Sequence, residues 1–357
     1  NFLIYLIGKS LIRFLKFNNN LIYVDLVYGI FLIGFIAFFL NFFVSLDNLV
    51  VKLLLFIVIL VSLKTIDLKD YKEYLFIFIL SILIFPIIIY MGPGYDGGLY
   101  HLPHQNFIRN EKIVFGIGNI RRFGFGSINE YISALFWFKE NFSIIKIYTR
   151  YLFFNFFSFI FESIKKKNKD FKIILPLIFL LPLFQRYFTL AYTFTDIATI
   201  VFYTLCFVHG LRFLITRNIE NSNLKRDVNT FVLLLFLTVA MKPNGSLILI
   251  YGLIIFSFIL FRYSQPMKFF LQFYWVYFIF FLWFLKNIIT TGCIIYPINF
   301  SCFTFLEWSA HKNALYDFLS AKRFARQPFA GNEPLYNWNW FTDYWINMYD
   351  KFIISYI

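Results

Sequence analysis

The sequence predicts an all-α protein: a polytopic transmembrane helical bundle of about nine to ten spans, with interfacial helices in long outer loops. Three observations support this prediction. Of the 357 residues, 60% are hydrophobic and only 15% are charged, which is too little charge to cover a soluble domain. Apolar stretches recur along the whole chain. Short clusters of lysine and arginine stand between them.

The apolar stretches are judged against the roughly 20 residues that one helical crossing needs, and several are short by that measure. Residues 351–357 resemble the start of a further span, so we expect residues 1–357 to be a single transmembrane domain within a longer chain. The nine predicted spans are Leu21–Phe43, Leu49–Leu63, Tyr74–Met91, Phe142–Ile164, Phe171–Phe184, Thr189–Ile215, Thr230–Met241, Ser246–Phe261 and Phe269–Ile289.

The basic clusters predict the orientation of these spans. If the spans alternate, every cluster falls on one side, which should be the cytoplasm. The net charge of +14 is therefore attributed to topology, and we expect no nucleic-acid partner. The clusters are Lys9, Arg13 and Lys16; Lys64, Lys69 and Lys72; Lys165, Lys166, Lys167, Lys169 and Lys172; Arg212, Arg217, Lys225 and Arg226; and Arg262 with Lys268.

The opposite face carries two long segments, 92–141 and 290–350, which we expect to be extracytoplasmic loops lying on the surface of a bacterial cytoplasmic membrane. The second contains Cys293 and Cys302, which would be free to form a disulfide outside the cell; the pairing stays open. Cys206 lies in an apolar span and is interpreted as a small packed hydrophobic residue.

The first outer segment holds the densest set of polar candidates. Asp96 follows a Gly-Pro-Gly turn and is either a helix cap or a catalytic carboxylate. His101 and His104 stand three apart on a predicted helix and are either an interfacial pair or, with lower weight, metal ligands. Arg121 and Arg122 would contact lipid headgroups or clamp a phosphate.

Three further polar residues fall at the same face: Asp196, Lys242 and Tyr296. An ionisable residue at the edge of an apolar span costs free energy unless it is paired or hydrated, and it commonly takes part in binding or catalysis. Asp196 and Lys242 would form a structural ion pair or join a site for an anionic lipid. Such a site would accept Mg²⁺ or Mn²⁺, but the sequence requires no metal, and the cofactor stays unknown.

These residues resemble the GT-C glycosyltransferases, multi-pass enzymes that use a polyprenyl-phosphate sugar. The segment from Asp96 to Tyr100 matches the Asp-x-x-x-Tyr part of their first-loop motif, while Gly97 replaces the usual second acid. The stretch from Tyr95 to Phe125, the Thr195-Asp196 pair and the Ile295-Tyr296-Pro297 element are similar to a group of uncharacterised bacterial multi-pass proteins. Two spans, rather than the usual one, precede the span that leads into the first long loop.

The resemblance implies an inverting transfer of sugar from a lipid-linked donor to an extracytoplasmic lipid, glycan or protein. Asp96 would be the catalytic base, and Asp196 is the second catalytic candidate. Substrate contacts would come from Tyr100, His101, His104, Arg121, Arg122, Lys242 and Tyr296. Membrane lipids are expected partners, and protein partners stay unknown.

Two alternatives stay open. An O-antigen polymerase or ligase type of enzyme would rely on arginines such as Arg109, Arg323 and Arg326. A flippase for lipid-linked glycans would need polar residues along its spans, where mostly Phe, Leu and Ile stand. A structural membrane protein without chemistry is the third interpretation.

Overall fold

The computed structural model describes residues 1–17, 21–89, 97–120, 122–137, 152, 154–162, 195–215, 221–262 and 274–326. This described part is helical and contains no strand, which confirms the all-α prediction. Its helices are α1 (Phe2–Phe14), α2 (Ile22–Asn41), α3 (Leu49–Leu63), α4 (Tyr71–Ile89), α5 (Leu102–Asn110), α6 (Ile128–Leu135), α7 (Thr195–Ile215), α8 (Asn221–Met241), α9 (Ile248–Arg262), α10 (Tyr274–Thr291) and α11 (His311–Arg326), and residues 154–162 are also helical.

The helices include several that can cross a membrane. By length and apolar composition these are Ile22–Asn41, Pro243–Arg262 and Tyr274–Thr291 in the described residues. Leu49–Leu63 and Leu68–Leu83 qualify only as a pair, bent by 86° at the break between them, which raises the number to four if the pair is one span. The described residues thus contain three or four candidate crossings and do not test the nine to ten expected for the whole chain, since the predicted span Phe171–Phe184, for example, lies outside them.

The outward faces of these helices are apolar. Phe56 and Leu60 on α3 and Ile250 and Leu253 on α9 are all exposed. A soluble protein rarely leaves such continuous apolar surface in water. The exposed faces therefore fit an integral membrane protein.

The chain forms two compact units. The first comprises Asn1–Val114 and Phe125–Lys286, and the second comprises Phe115–Gly124 and Asn287–Ile357.

In the first unit, α2 is the central helix, with residues on all its sides buried. Helix α1 packs against it at very short range through two glycines. A Cβ on Gly8 would lie 1.6 Å from the Asp25 carbonyl oxygen, and one on Gly29 would lie 2.0 Å from the Ile4 carbonyl oxygen. Small residues let the two backbones approach this closely, as is typical of helices packed in membranes.

The beginning of α2 lies at a polar end of this unit. Glu162 accepts hydrogen bonds from the backbone N–H groups of Ile22 (2.7 Å) and Tyr23 (3.5 Å), which satisfies donors that a helix start leaves unpaired. Arg212 donates to the Tyr23 hydroxyl at 3.0 Å.

Lys9 on α1 forms ion pairs with one carboxylate just before α4 and one in its first turn. Its Nζ lies 2.6 Å from Asp70 and 3.1 Å from Glu73. The nearby Arg13 donates to the Thr65 carbonyl oxygen at 2.9 Å. Two residues of the first predicted basic cluster therefore contact the segment that contains the second.

The end of α2 contacts the first predicted outer segment. The Asn41 side-chain amide donates to the carbonyl oxygens of Ile108 (3.2 Å) and Glu111 (2.9 Å). The backbone carbonyl oxygen of Asn41 accepts from Ile113 N–H at 2.9 Å. Arg109 forms an ion pair with Asp47 at 3.4 Å. These bonds attach α5 to the end of α2.

The second unit contains a loop closed by a disulfide between Cys293 and Cys302, so the open question about these cysteines is answered. Gly292 ends α10 with a positive φ of 72°, and a Cβ there would lie 2.7 Å from Ser309 Cα. Only glycine fits both requirements. The Tyr296–Pro297 peptide bond in this loop is cis.

Candidate functional site

Two histidines are presented by the short helix of the first outer segment. Pro103 is tolerated at the start of α5, where a helix does not need its backbone N–H. His101 immediately precedes α5 and His104 lies within it, three residues on, so the two side chains share one face. Both are buried, whereas the sequence placed them at the membrane interface.

The start of α6 orients a carboxylate towards these histidines. Ser127 and Glu130 form a capping box, in which Ser127 N–H donates to Glu130 Oε2 at 3.0 Å. The Ser127 hydroxyl accepts from Asn129 N–H at 3.1 Å and donates to the Met241 carbonyl oxygen at 2.5 Å. The capping box therefore bends the Glu130 side chain back towards the helix start and fixes it there.

Glu130 binds both histidines at once. Its Oε1 lies 2.5 Å from His101 Nδ1, and its Oε2 lies 2.8 Å from His104 Nδ1. The side chain of Glu130 is 1% exposed. An ionised carboxylate only accepts hydrogen bonds, so each Nδ1 carries the proton and the Nε2 atoms are the ring nitrogens directed away from Glu130.

Electrostatics keeps Glu130 ionised. Burial alone would raise the pKa of its carboxyl, but His104 and His101 beside it outweigh burial and hold that pKa below its ordinary value. A carboxylate in this position fixes the tautomer and orientation of each imidazole ring that it binds.

A lysine from α10 completes the cluster. Lys286 is 2% exposed, and its charge is attracted by that of Glu130. Its Nζ also lies over the rings of Trp283, 4.4 Å from the centroid, and Tyr131, at 5.6 Å. Buried cations are expensive without such partners, and an ionisable residue inside a spanning helix commonly marks a functional site.

Gly126 provides the space that Lys286 occupies. A Cβ at this position would lie 2.8 Å from Lys286 Nζ and 3.3 Å from His104 Cε1. The lysine and the histidine are therefore close to the same point of the backbone. We define His101, His104, Glu130 and Lys286 as the buried His–Glu–Lys cluster.

Two amide groups next to this cluster in sequence are buried without a hydrogen-bond partner in the described part of the chain. They are Gln105 Nε2, a donor, and Asn129 Oδ1, an acceptor. Native proteins rarely leave such groups unsatisfied. Each is therefore a hydrogen-bonding group that the described part of the chain leaves unused.

The other predicted site residues are divided between the units or lie outside the described residues. Asp96 and Arg121 lie outside them, and for Asp196 only the backbone is described, at the start of α7. Tyr100 is buried beside His101, with ring centroids 4.2 Å apart. Lys242 is half-buried in the turn after α8, in the first unit.

Arg122 and Tyr296 belong to the second unit. Arg122 has a positive φ of 64°, an uncommon backbone conformation for a residue with a side chain. Tyr296 is buried, and its hydroxyl donates to Asp317 Oδ2 at 2.6 Å. Burial and the adjacent carboxylate raise the pKa of the Tyr296 hydroxyl.

The sequence prediction missed Glu130 and Lys286. Glu130 had a readable signal, because Ser127-Ile-Asn-Glu130 fits a capping box before an apolar run. Lys286 is the one charged residue in the predicted span Phe269–Ile289, a pattern that indicates function by default. The link between them depends on tertiary packing, which neither signal contains.

Metal binding was left open by the sequence. Among the described residues, no group of three or more His, Cys, Asp and Glu side chains is arranged to hold a metal ion. In the buried cluster, each oxygen of Glu130 accepts a hydrogen bond from one histidine, so in this structure the carboxylate binds the two imidazole rings.

Comparison with known proteins yields one match. A family described as a domain of unknown function (DUF8201) matches residues 1–357. Neither a curated protein nor a solved structure matches the chain.

Proposed function

The chain belongs to the DUF8201 family, a domain of unknown function, and we propose that it is a membrane glycosyltransferase. It would transfer a sugar from a polyprenyl-phosphate carrier to an extracytoplasmic lipid, glycan or protein. The observation that carries this proposal is the buried Glu130 carboxylate, which orients two histidines just after the Asp96 motif. A buried charged cluster is costly to assemble, which favours a functional site over a purely structural role.

In the proposed reaction, a hydroxyl oxygen of the acceptor attacks the anomeric carbon of the sugar. The bond between that carbon and the phosphate oxygen breaks, and the polyprenyl phosphate leaves with the electron pair. The acceptor proton goes to a base, for which Asp96 is the first candidate, Asp196 the second and the Glu130-bound histidines a third. Lys286 and Lys242 supply positive charge towards the leaving phosphate.

Arg109, one of the arginines on which a polymerase or ligase would rely, is already paired with Asp47 and lies over Trp137. That observation favours the transferase over the arginine-dependent alternative.

The finer features of the topology belong to the same proposal. We place the protein in a bacterial cytoplasmic membrane with about nine to ten crossings and the buried cluster on the extracytoplasmic side. Three basic residues, Lys9, Arg13 and Arg212, lie near the start of α2 and support this orientation. Helix α5, which carries His104 of the buried cluster, is bonded to the other end of α2.

The test is transfer of labelled sugar from polyprenyl phosphate by the full-length protein in membranes, measured together with release of polyprenyl phosphate. We expect Asp96→Asn to lower transfer by about 10²–10⁴-fold, the contribution of general acid–base catalysis. We expect Glu130→Gln, which removes the carboxylate that orients the histidines, to lower transfer by about 10–100-fold. Glu111→Gln is the matched control, because Glu111 is an exposed carboxylate of the same segment.

Wild-type activity in a folded Glu130→Gln variant would remove the buried cluster from the mechanism. Wild-type activity in Asp96→Asn would remove the base that the GT-C resemblance implies. No transfer by the wild type with either hexose or pentose donors would contradict the transferase itself.

A further inference from the structure

The disulfide-closed loop that follows α10 is bonded to the end of that helix. Phe303 N–H donates to the Gly292 carbonyl oxygen at 2.8 Å, and Ala310 N–H donates to that of Thr291, also at 2.8 Å. The Trp308 indole donates to the Ile288 carbonyl oxygen at 3.0 Å. We call residues 292–306 the aromatic loop; the Asn287 side-chain amide donates to the Ile294 carbonyl oxygen at 3.0 Å, which holds this loop against the last turn of a helix that can span the membrane.

The loop presents two phenylalanines outward. Phe300 is 92% exposed and Phe305 is 79% exposed. The Cys293–Cys302 disulfide closes the loop just beyond Phe300, and Ile294 N–H donates to the Ser301 carbonyl oxygen at 3.0 Å. Phe300 is therefore exposed within the covalently closed segment 293–302, and Phe305 is exposed three residues beyond it.

The surrounding sequence is suited to lipid. No charged residue stands between Lys286 and Glu307. A loop in water usually carries charged or small polar residues at its exposed positions, whereas this loop exposes Phe at its tip. An uncharged, aromatic segment directly after a spanning helix is at the depth where aromatic side chains concentrate in membrane proteins.

We propose that the aromatic loop is a membrane anchor whose Phe300 and Phe305 side chains insert into the headgroup–acyl boundary of the extracytoplasmic leaflet. Phospholipid is the partner because the loop is bonded to a helix end that itself lies at that boundary. Disulfides persist in oxidising compartments, which selects the extracytoplasmic leaflet. The proposal concerns the second unit alone and does not depend on the transferase activity.

The anchor also has a defined connection to the rest of the second unit. Tyr296 lies within the loop, and its hydroxyl donates to Asp317 on α11. Helix α11 exposes Leu315, Tyr316 and Leu319 close together in sequence. The bond to Asp317 thus links a lipid-inserted loop to a helix with apolar surface of its own.

The test places a fluorophore at single cysteines of the full-length protein, in vesicles of phosphatidylcholine and phosphatidylglycerol. Phe300→Cys, Phe305→Cys and Glu307→Cys are made with Cys206→Ser, and mass spectrometry confirms that Cys293 and Cys302 remain paired. Glu307 is the matched control, because it is an exposed, charged residue just beyond the loop.

At positions 300 and 305 we expect strong quenching by lipids with a nitroxide near the glycerol and weak quenching by aqueous iodide. Position 307 should show the reverse. Iodide quenching at 300 and 305 equal to that at 307 would overturn the proposal. Lipid quenching that rises as the protein is diluted into excess lipid would also overturn the proposal. In that case a second copy of the chain would have covered positions 300 and 305 before dilution.

Discussion

At the scale of single residues, Glu130 shows how a buried carboxylate determines the state of its neighbours. It accepts from His101, His104 and the Ser127 backbone, which together use both of its oxygens. Lys286 provides the opposite charge. Removing the Glu130 charge would leave a buried cation without its carboxylate, which is more costly than losing one hydrogen bond.

This environment predicts a pH-dependent stability. Because the pKa of Glu130 is lower in the folded protein than its ordinary value of 4.5, its contribution is complete above that value and is lost as pH falls towards the folded pKa. At pH 7 we expect Glu130→Gln to lower the free energy of unfolding by about 3 kcal/mol. The difference from wild type should shrink by about 1.4 kcal/mol per pH unit below 4.5.

Thermal unfolding in detergent between pH 7 and 3.5 checks this prediction, with Glu111→Gln as the exposed control. A stability difference between Glu130→Gln and wild type that stays constant with pH would mean that the Glu130 charge does not stabilise the fold.

The sequence identified part of this site. His101 and His104 were predicted as candidates from their spacing, and the expected helix is present as α5. Their burial could not be predicted, because it results from the packing of α5 against α6 and the end of α2. Glu130 comes from a later helix and Lys286 from a still later one, and a single sequence does not reveal contacts across such separations.

At the scale of elements, the contact between α1 and α2 depends on two glycines that face each other's helix. Gly8 lies against the backbone at Asp25 and Gly29, and Gly29 lies against that at Ile4. Backbone atoms cannot rotate away as side chains can. An added methyl group must therefore separate the helices, although the pattern of apolar residues would be unchanged.

We expect Gly29→Ala to lower the free energy of unfolding by about 1–3 kcal/mol, the usual cost of overpacking. Gly98→Ala is the matched control, because a Cβ there meets nothing within 4 Å. Thermal unfolding of the two variants in the same detergent measures the difference. Equal stability of Gly29→Ala and Gly98→Ala would show that α1 and α2 are not packed this closely.

Helix positions were easier to predict than their arrangement. Predicted spans such as Leu21–Phe43 and Phe269–Ile289 correspond to α2 and α10, because apolar composition over 20 residues is a local property. The 86° bend between Leu49–Leu63 and Leu68–Leu83 was not foreseen. Its break coincides with the Lys64 to Lys69 segment, which the sequence analysis used only to assign orientation.

At the scale of the whole molecule, the orientation proposal depends on the two ends of α2. This helix has 20 residues and is therefore about 30 Å long, close to the thickness of the hydrocarbon core. Arg212 contacts Tyr23 near its start, while Ile108 and Glu111 bind Asn41 at its end. The basic residues and the first predicted outer segment thus lie at opposite ends of one helix that is long and apolar enough to span the membrane.

This arrangement predicts opposite accessibility for two exposed lysines of the first unit. Lys112 follows α5 near the end of α2, and Lys64 follows α3 at the bend beside the basic residues. In a Cys206→Ser background, Lys112→Cys should react with a membrane-impermeant thiol reagent in intact cells whose outer barrier has been removed. Lys64→Cys should react only after the membrane is permeabilised, because the bilayer separates a cytoplasmic cysteine from the reagent.

The two variants together distinguish the possible orientations of the protein in the membrane. Reaction of Lys64→Cys alone in intact cells would invert the protein and place the buried cluster on the cytoplasmic side, where a lipid-linked donor would have to be used before it crosses the membrane. Reaction of both would mean that α2 does not separate the two compartments. Reaction of Lys112→Cys alone puts the segment after Asp96 on the side where an extracytoplasmic acceptor meets its donor.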